Sequence, residues 1–294
     1  MKPVIFFHGA CADGYGAAFA AWKQFGDNAE YIPMRYGQIK SIDDVDLLGL
    51  VKNRRVFVLD FSFPHDVTEY LVAEAEEFVW LDHHRTAFEM WVPDMPFTDD
   101  IEYRKTDARS YICLDNKRSG ALIAWNFFIG MAPLMIRHID DYDRWQFKLD
   151  ETKAFNKYLW SIAPWSFEKW DILCSGDANT YGSAYDMGNA LLAEHKRQVV
   201  SATKNAREVK LNGQTGLCVN APPNLTSDSG HDLAARCGSF GLIYHIDHEL
   251  RVKCSLRSTG DYDVSALAKL YGGGGHKNAA GFELSMQQLI EVLN

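Results

Sequence analysis

No C-x-x-C pair occurs among the six cysteines Cys11, Cys113, Cys174, Cys218, Cys237 and Cys254, which argues against a zinc ribbon and against a dithiol redox site. These thiols read as reduced and mostly in the core. Long apolar runs are missing too: Met1-Lys2-Pro3 leads straight into Val4 to Phe7, too short for a signal-peptide core or a membrane span. A soluble, cytoplasmic protein with no membrane partner is therefore expected. Excess positive charge is also absent, since 39 acidic residues against 30 basic ones give a net charge of −9. Such a chain has no continuous basic field for tracking a long polyanion, so long double-stranded nucleic acid is not an expected partner. Any nucleic-acid ligand should be short, or held by local cations and metal ions. There is no internal repeat and no low-complexity segment.

What is present is enough for a sizeable core: 294 residues at 47% hydrophobic content, divided most naturally into two domains. The amino-terminal part alternates strands with helices, the pattern of an α/β fold with a parallel sheet covered on both faces. Val4 to Phe7, Arg55 to Leu59 and Phe78 to Leu81 read as strands. Each ends in a polar group: His8 to Asp13, Asp60, and Asp82-His83-His84. Ligands of open α/β sheets bind outside the carboxyl ends of the strands, so the three groups are expected to converge on one crevice. Residues 119–175 read as largely helical and contain the acidic stretch His138-Ile139-Asp140-Asp141-Tyr142-Asp143. The charged pattern of 183–211 reads as one extended connecting helix. Beyond it, 216–220, 241–246 and 250–256 read as strands, with short helices starting near Ser229, as an N-cap, and near Asp263. The expected division is a catalytic domain over 1–185, a connecting helix over 186–211, and a smaller mixed α+β domain over 212–294.

Asp82, His83 and His84 bring one carboxylate and two imidazoles together at a strand end, and Asp60, Asp140 and Asp141 offer further oxygens. A mixed carboxylate and imidazole set without a thiolate cluster suits Mn²⁺ or a similar divalent ion better than a structural zinc. A shared carboxylate can bridge two ions about 3.5–4 Å apart, the arrangement that clamps attacking and leaving oxygens in phosphoryl transfer. An isolated Asp-His-His would read as a cap followed by surface histidines; its place beside two other polar strand ends favours a site.

The second signal is Gly272-Gly273-Gly274-Gly275-His276, followed by Asn278-Ala279-Ala280-Gly281. Consecutive glycines expose backbone N–H groups and allow close approach to a phosphate, with His276 as an added donor. Helix and strand patterns flank the run closely, which argues against a flexible linker. Arg257, at a strand end, is the nearest expected cation for a phosphate. His245, Asp247 and His248 read as a solvated turn. Trp22, Trp125, Trp145, Trp160, Trp165 and Trp170 read as packing residues before base-stacking platforms, although one of them could stack a base.

Taken together these motifs resemble the DHH phosphoesterase family, in the branch with a DHH-associated carboxyl-terminal domain. Asp82-His83-His84 resembles the motif that names the family, GGGGHKNAAGF the signature of the associated domain, Asp60 the single-aspartate second motif, and His8 with Asp13 the first. Asp140 or Asp141 would be the fourth-motif aspartate. The first motif departs from the family's aspartate pair, because Cys11 stands two residues before Asp13. It is either a softer metal ligand or a small residue in a tight turn. The resemblance implies two Mn²⁺ ions, with Mg²⁺ or Co²⁺ as substitutes, held by His8, Asp13, Asp60, Asp82, His83 and Asp140 or Asp141. His84 would face the scissile phosphate. Arg257, Gly273, Gly274, Gly275 and His276 would hold the distal part of the substrate, with hydrolysis in a cleft between the domains. The substrate implied is a dinucleotide such as pGpG or a short oligonucleotide. A pyrophosphatase or exopolyphosphatase and a cyclic-dinucleotide phosphodiesterase are the alternatives, and a homodimer is left open.

Overall fold

Short apolar runs separated by amphipathic segments become strands and helices in regular alternation in the computed structural model, which describes residues 1–9, 11–44, 48–98 and 100–293. Two compact units result, Met1–Asn189 and Ala190–Asn294. The first runs β1 (Val4–His8), α1 (Ala12–Phe25), β2 (Glu30–Met34), α2 (Leu48–Val51), β3 (Arg55–Leu59), α3 (His65–Glu74), β4 (Glu77–Asp82), α4 (Arg85–Trp91), β5 (Glu102–Thr106), β6 (Ser110–Asp115), α5 (Gly120–Phe128), α6 (Leu134–Asp143), α7 (Thr152–Ser161), α8 (Phe167–Cys174) and the start of α9 (Ala178–Thr203). Its six strands are ordered β2-β1-β3-β4-β6-β5, parallel except for the β5–β6 pair. The chain leaves β1 for β2 on one side and later places β3 on the other. The order reverses there, and the carboxyl ends of β1, β3 and β4 lie side by side at that switch point.

Parallel strands buried on both faces need apolar residues at successive positions, and β3 and β4 have them. Ile5, Phe57 and Val79 pack on one face with α1, α5 and α6; Phe6, Val58 and Trp80 pack on the other with α3 and α4. Small residues let α1 lie close to its neighbours: a Cβ at Gly16 would sit 2.8 Å from Cβ of Ala121.

The second unit holds β7 (Arg207–Leu211), β8 (Gln214–Asn220), α10 (Thr226–Cys237), β9 (Phe240–Ile246), β10 (Val252–Ser258), α11 (Val264–Lys269), β11 (Gly274–His276), β12 (Ala279–Leu284) and α12 (Met286–Leu293). Its sheet has the order β11-β12-β10-β9-β8-β7 and is antiparallel except for β8–β9. This is the mixed α+β unit expected from the sequence.

Two local expectations are corrected. The extended helix over 183–211 starts earlier and stops at Thr203, because Arg207–Leu211 is a strand that alternates exposed and buried positions. Asn212 and Gly213 turn it into β8 with φ of 47° and 78°, the left-handed pair of a type I′ hairpin. An Asn-Gly pair between alternating residues was the legible signal against a helix there. Ser229 is not an N-cap: α10 begins at Thr226, and Ser229 lies fully buried within it. Asp263 does cap α11, accepting from the backbone N–H groups of Ser265 and Ala266.

Candidate metal centre

At the end of β1 the chain turns directly into α1. The turn is tight enough that a Cβ at Gly14 would lie 2.1 Å from the backbone oxygen of His8, so only glycine fits after Asp13. The Cys11 thiol caps the helix, accepting from Gly14 N–H at 3.3 Å. Asp13 is buried and accepts from the N–H groups of Gly120 and Ala121 at 2.8 and 3.0 Å, the first turn of α5. A helix amino terminus holds a carboxylate well.

Asp60 follows β3 with φ 53°, a conformation few non-glycine residues adopt, and is 1% exposed. Gly120 makes room for it, since a Cβ there would stand 2.4 Å from the Asp60 Cβ. Asp82, ending β4, is fully buried and accepts from the backbone N–H groups of His83 and His84, from Ser62 Oγ, and pairs with His84 Nδ1 at 2.7 Å. Its oxygens are committed to fixing the two histidines.

Groups of candidate ligand atoms overlap at Asp60 and at His83. In one, Cys11 Sγ lies 3.2 Å from His8 Nδ1, and Asp60 Oδ2 lies 3.7 Å from each. In another, His83 Nε2 lies 3.5 Å from both Asp13 Oδ2 and Asp143 Oδ2, and the same nitrogen lies 3.2 Å from Asp60 Oδ1. His84 joins Asp60 and His83 in an overlapping third group.

The expected residues His8, Asp13, Asp60, His83 and His84 are thus brought together, with Asp82 behind them. Asp140 and Asp141 are not. Asp140 accepts from Ser119 N–H at 2.7 Å and sits near Arg144. Asp141 accepts from Lys148 N–H, Leu149 N–H and Thr152 Oγ1. Asp143, three residues after Asp140 and so on the same helix face, brings its carboxylate to His83 instead. It is the last residue of α6, where the helix dipole disfavours a negative charge.

The electrostatics fit a cation. Burial, then the charges of Asp60 and Asp143, push Asp13 well above the usual carboxylate range. Burial would raise Asp60 as well, but contacts from His8 and His83 outweigh it and hold its carboxyl low. Burial opposes protonation of His83, yet Asp60, Asp13 and Asp143 outweigh that and raise it well above an ordinary histidine. Burial, then Asp60 and Asp13, pushes the Cys11 thiol far up. Crowding thus pushes Asp13 and Asp143 toward protonation while Asp60 leans on the imidazoles, and among the described residues Asp60 Oδ1 is buried without a well-formed hydrogen bond. A divalent ion would satisfy both conditions, and the imidazole, carboxylate and single thiol donors suit one.

In the second unit Arg257 ends β10, half-buried, with its guanidinium donating to Ser227 Oγ at 3.1 Å beside the start of α10. Among the described residues it has no carboxylate partner, and burial alone lowers its pKa. The glycine run is not an open loop. Gly274, Gly275 and His276 form the edge strand β11, and Cβ atoms at Gly273 and Gly275 would meet the backbone oxygens of Gly281 and Ala279 at 2.0 and 2.5 Å. Those two glycines serve close strand contact. The register lines up positions 257, 279 and 276 across three neighbouring strands; the side chain of His276 lies outside the described residues.

Residues 230–294 match the DHHA1 domain family. An uncharacterized protein of Acanthamoeba polyphaga mimivirus is 29% identical over 303 residues, spanning 96% of this chain and 67% of that protein. Solved structures share the fold, two of them over nearly the whole chain. The pGpG-specific phosphodiesterase PggH from Vibrio cholerae has a TM-score of 0.54 at 13% identity, covering 100% of this chain and 96% of its own. A DHH domain protein of the s1p family of ribosomal proteins has a TM-score of 0.57 at 15% identity, covering 99% and 85%. The doubly wound sheet with acidic and imidazole groups at its switch point, followed by a DHHA1 unit, defines a DHH-type architecture. Residues 230–294 match the DHHA1 domain, and the chain as a whole shares the fold of these DHH-type proteins.

Proposed function

We propose that the protein hydrolyses the phosphodiester bond of short linear nucleotides, of which pGpG is the type, releasing mononucleotides with Mn²⁺ as its preferred ion. The observation that carries this reading is the sharing of Asp60 between two ligand groups. The pGpG specificity of the fold neighbour from Vibrio cholerae supports the substrate class. His8, Cys11 and Asp60 would hold one ion, and Asp60, Asp13, His83 and Asp143 a second. Ions in such a site lower the pKa of a bound water and neutralise phosphate charge.

The chain's own groups do the rest. Asp60 and His83 fix the donor geometry. His84, held by Asp82, is raised in pKa: burial opposes protonation, but the Asp82 charge and hydrogen bond outweigh it. It therefore keeps a proton to donate to the phosphate or to the departing hydroxyl oxygen. Water adds across the P–O bond; one product takes the phosphate and the other the hydroxyl. Arg257, a half-buried cation lacking a carboxylate partner among the described residues, binds a further phosphate, because such a guanidinium is most stable opposite an anion.

A chromatographic panel tests the substrate class. With Mn²⁺, pGpG should be cleaved fastest, a long single strand should gain little, and cyclic dinucleotide and pyrophosphate should be poor substrates. Pyrophosphate turnover faster than pGpG would replace this reading with a pyrophosphatase.

A further inference from the structure

Immediately after Asp143 the backbone does something costly. Trp145, Phe147 and Glu151 all have positive φ, at 56°, 51° and 65°, in a stretch without glycine. Non-glycine residues keep such conformations only where the surroundings over-determine them. Asp141 does so here: its backbone oxygen accepts from Gln146 N–H at 3.0 Å, and its carboxylate from Lys148 N–H, Leu149 N–H and Thr152 Oγ1 at 2.8, 3.1 and 2.7 Å.

The strain sets an indole in the open beside the metal centre. Trp145 is 61% exposed, while the rings of Tyr142 and Phe147 meet it edgewise at 5.6 and 4.7 Å and fix its plane. A concavity of about 360 Å³ is lined by His83, Asn116, Asp143, Arg144, Trp145 and Gln146. Its volume lies at the lower end of small-molecule sites, which run from about 300 to 1,000 Å³. One wall is thus two members of the ligand cluster and another is a flat aromatic face. The Asn116 amide is spent on the backbone at Ile101 and Thr98, which leaves Arg144 and Gln146 as the polar groups of the rim.

We propose that this concavity is a nucleobase subsite, in which Trp145 stacks the base of the nucleotide whose phosphate lies at His83 and Asp143, with Gln146 and Arg144 meeting the polar edge of the ring. The inference rests on the phosphodiesterase reading for the position of the phosphate, but the stacking face stands on the geometry alone. An exposed, plane-locked indole loses little freedom on binding a ring, and stacking accepts any base. Base preference then falls to the amide of Gln146.

The test is a titration of the full-length protein, with Mn²⁺ present, by guanosine 5′-monophosphate and by ribose 5-phosphate, read by calorimetry and by tryptophan fluorescence. The monophosphate should bind about five- to a hundredfold more tightly than the sugar phosphate. Trp145→Ala should erase that difference, and Trp145→Phe should retain part of it. Equal binding of the two ligands by the native protein, or undiminished discrimination in Trp145→Ala, overturns the subsite. Discrimination that depends on Trp145 in a protein that cleaves no phosphodiester would sink the proposed activity and leave the subsite standing. Cleavage of pGpG with an unchanged KM in Trp145→Ala would do the reverse.

Discussion

Asp60 is held by a left-handed backbone, by its N–H donating to Leu81 O at 2.9 Å, and by the missing side chain of Gly120. A methyl group at Gly120 would stand 2.5 Å from Asp60 Oδ1, so Gly120→Ala must displace the shared carboxylate or the start of α5. We expect stability to fall by about 1–3 kcal/mol, as in overpacked cores. Turnover should fall by roughly a hundredfold, since small misplacements at a reacting centre are expensive. Urea denaturation and steady-state rates on pGpG measure both; a normal rate would mean that Asp60 need not sit where it does. At this scale the convergence of His8, Asp13, Asp60, His83 and His84 was legible, because each stands at or shortly after the end of an apolar run. The last carboxylate was not. Asp140, Asp141 and Asp143 crowd one helix end, and what separates them is which backbone groups already claim their oxygens, Ser119 N–H for Asp140 and the 148–149 segment for Asp141.

Among the elements, helix content was read too generously where charge masked alternation. Arg207–Leu211 buries only Val209 and Leu211, a period of two that the preceding helix hides until the Asn212-Gly213 turn is weighed. The glycine run was legible as a place of close backbone approach, but what approaches Gly273 and Gly275 is β12 rather than an open ligand loop. Ser229 separates the two descriptions of α10 experimentally. As an N-cap its replacement by alanine would cost about 1 kcal/mol. Buried in the helix with its hydroxyl unpartnered among the described residues, its loss should be neutral or stabilising. Thermal unfolding of Ser229→Ala should therefore show an unchanged or raised Tm, and a drop of several degrees would restore the cap.

For the molecule as a whole, acid stability should carry the mark of His138, buried on α6 between Thr152 Oγ1 and Tyr185 OH at 2.9 and 2.8 Å. Burial lowers its pKa from 6.5 to about 4. The unfolded chain therefore binds the extra proton first, so this contribution to stability is complete above the unfolded value and is lost as pH falls toward the folded one. The loss is on the order of 3 kcal/mol. That full loss is reached only below the folded value, so denaturation at pH 7 and pH 5 should show a fall of about 2 kcal/mol in the native protein and a smaller one in His138→Gln; equal falls would assign the acid sensitivity elsewhere. Architecture at this scale was readable from the alternation of elements, because a parallel sheet leaves few other ways to bury such runs. The proposed base subsite was less so, since it would rest on Trp145, whose exposure follows from backbone strain that no periodicity encodes. The central claim is that the Asp60-centred cluster makes this chain a metal-dependent phosphodiesterase. It is tested most directly by incubating chelator-stripped, dialysed protein with pGpG and resolving the products by chromatography, with and without added Mn²⁺. The account predicts guanosine monophosphate only where Mn²⁺ is restored, and none from Asp60→Asn under the same conditions. Equal product without metal, or undiminished product from Asp60→Asn, would contradict it.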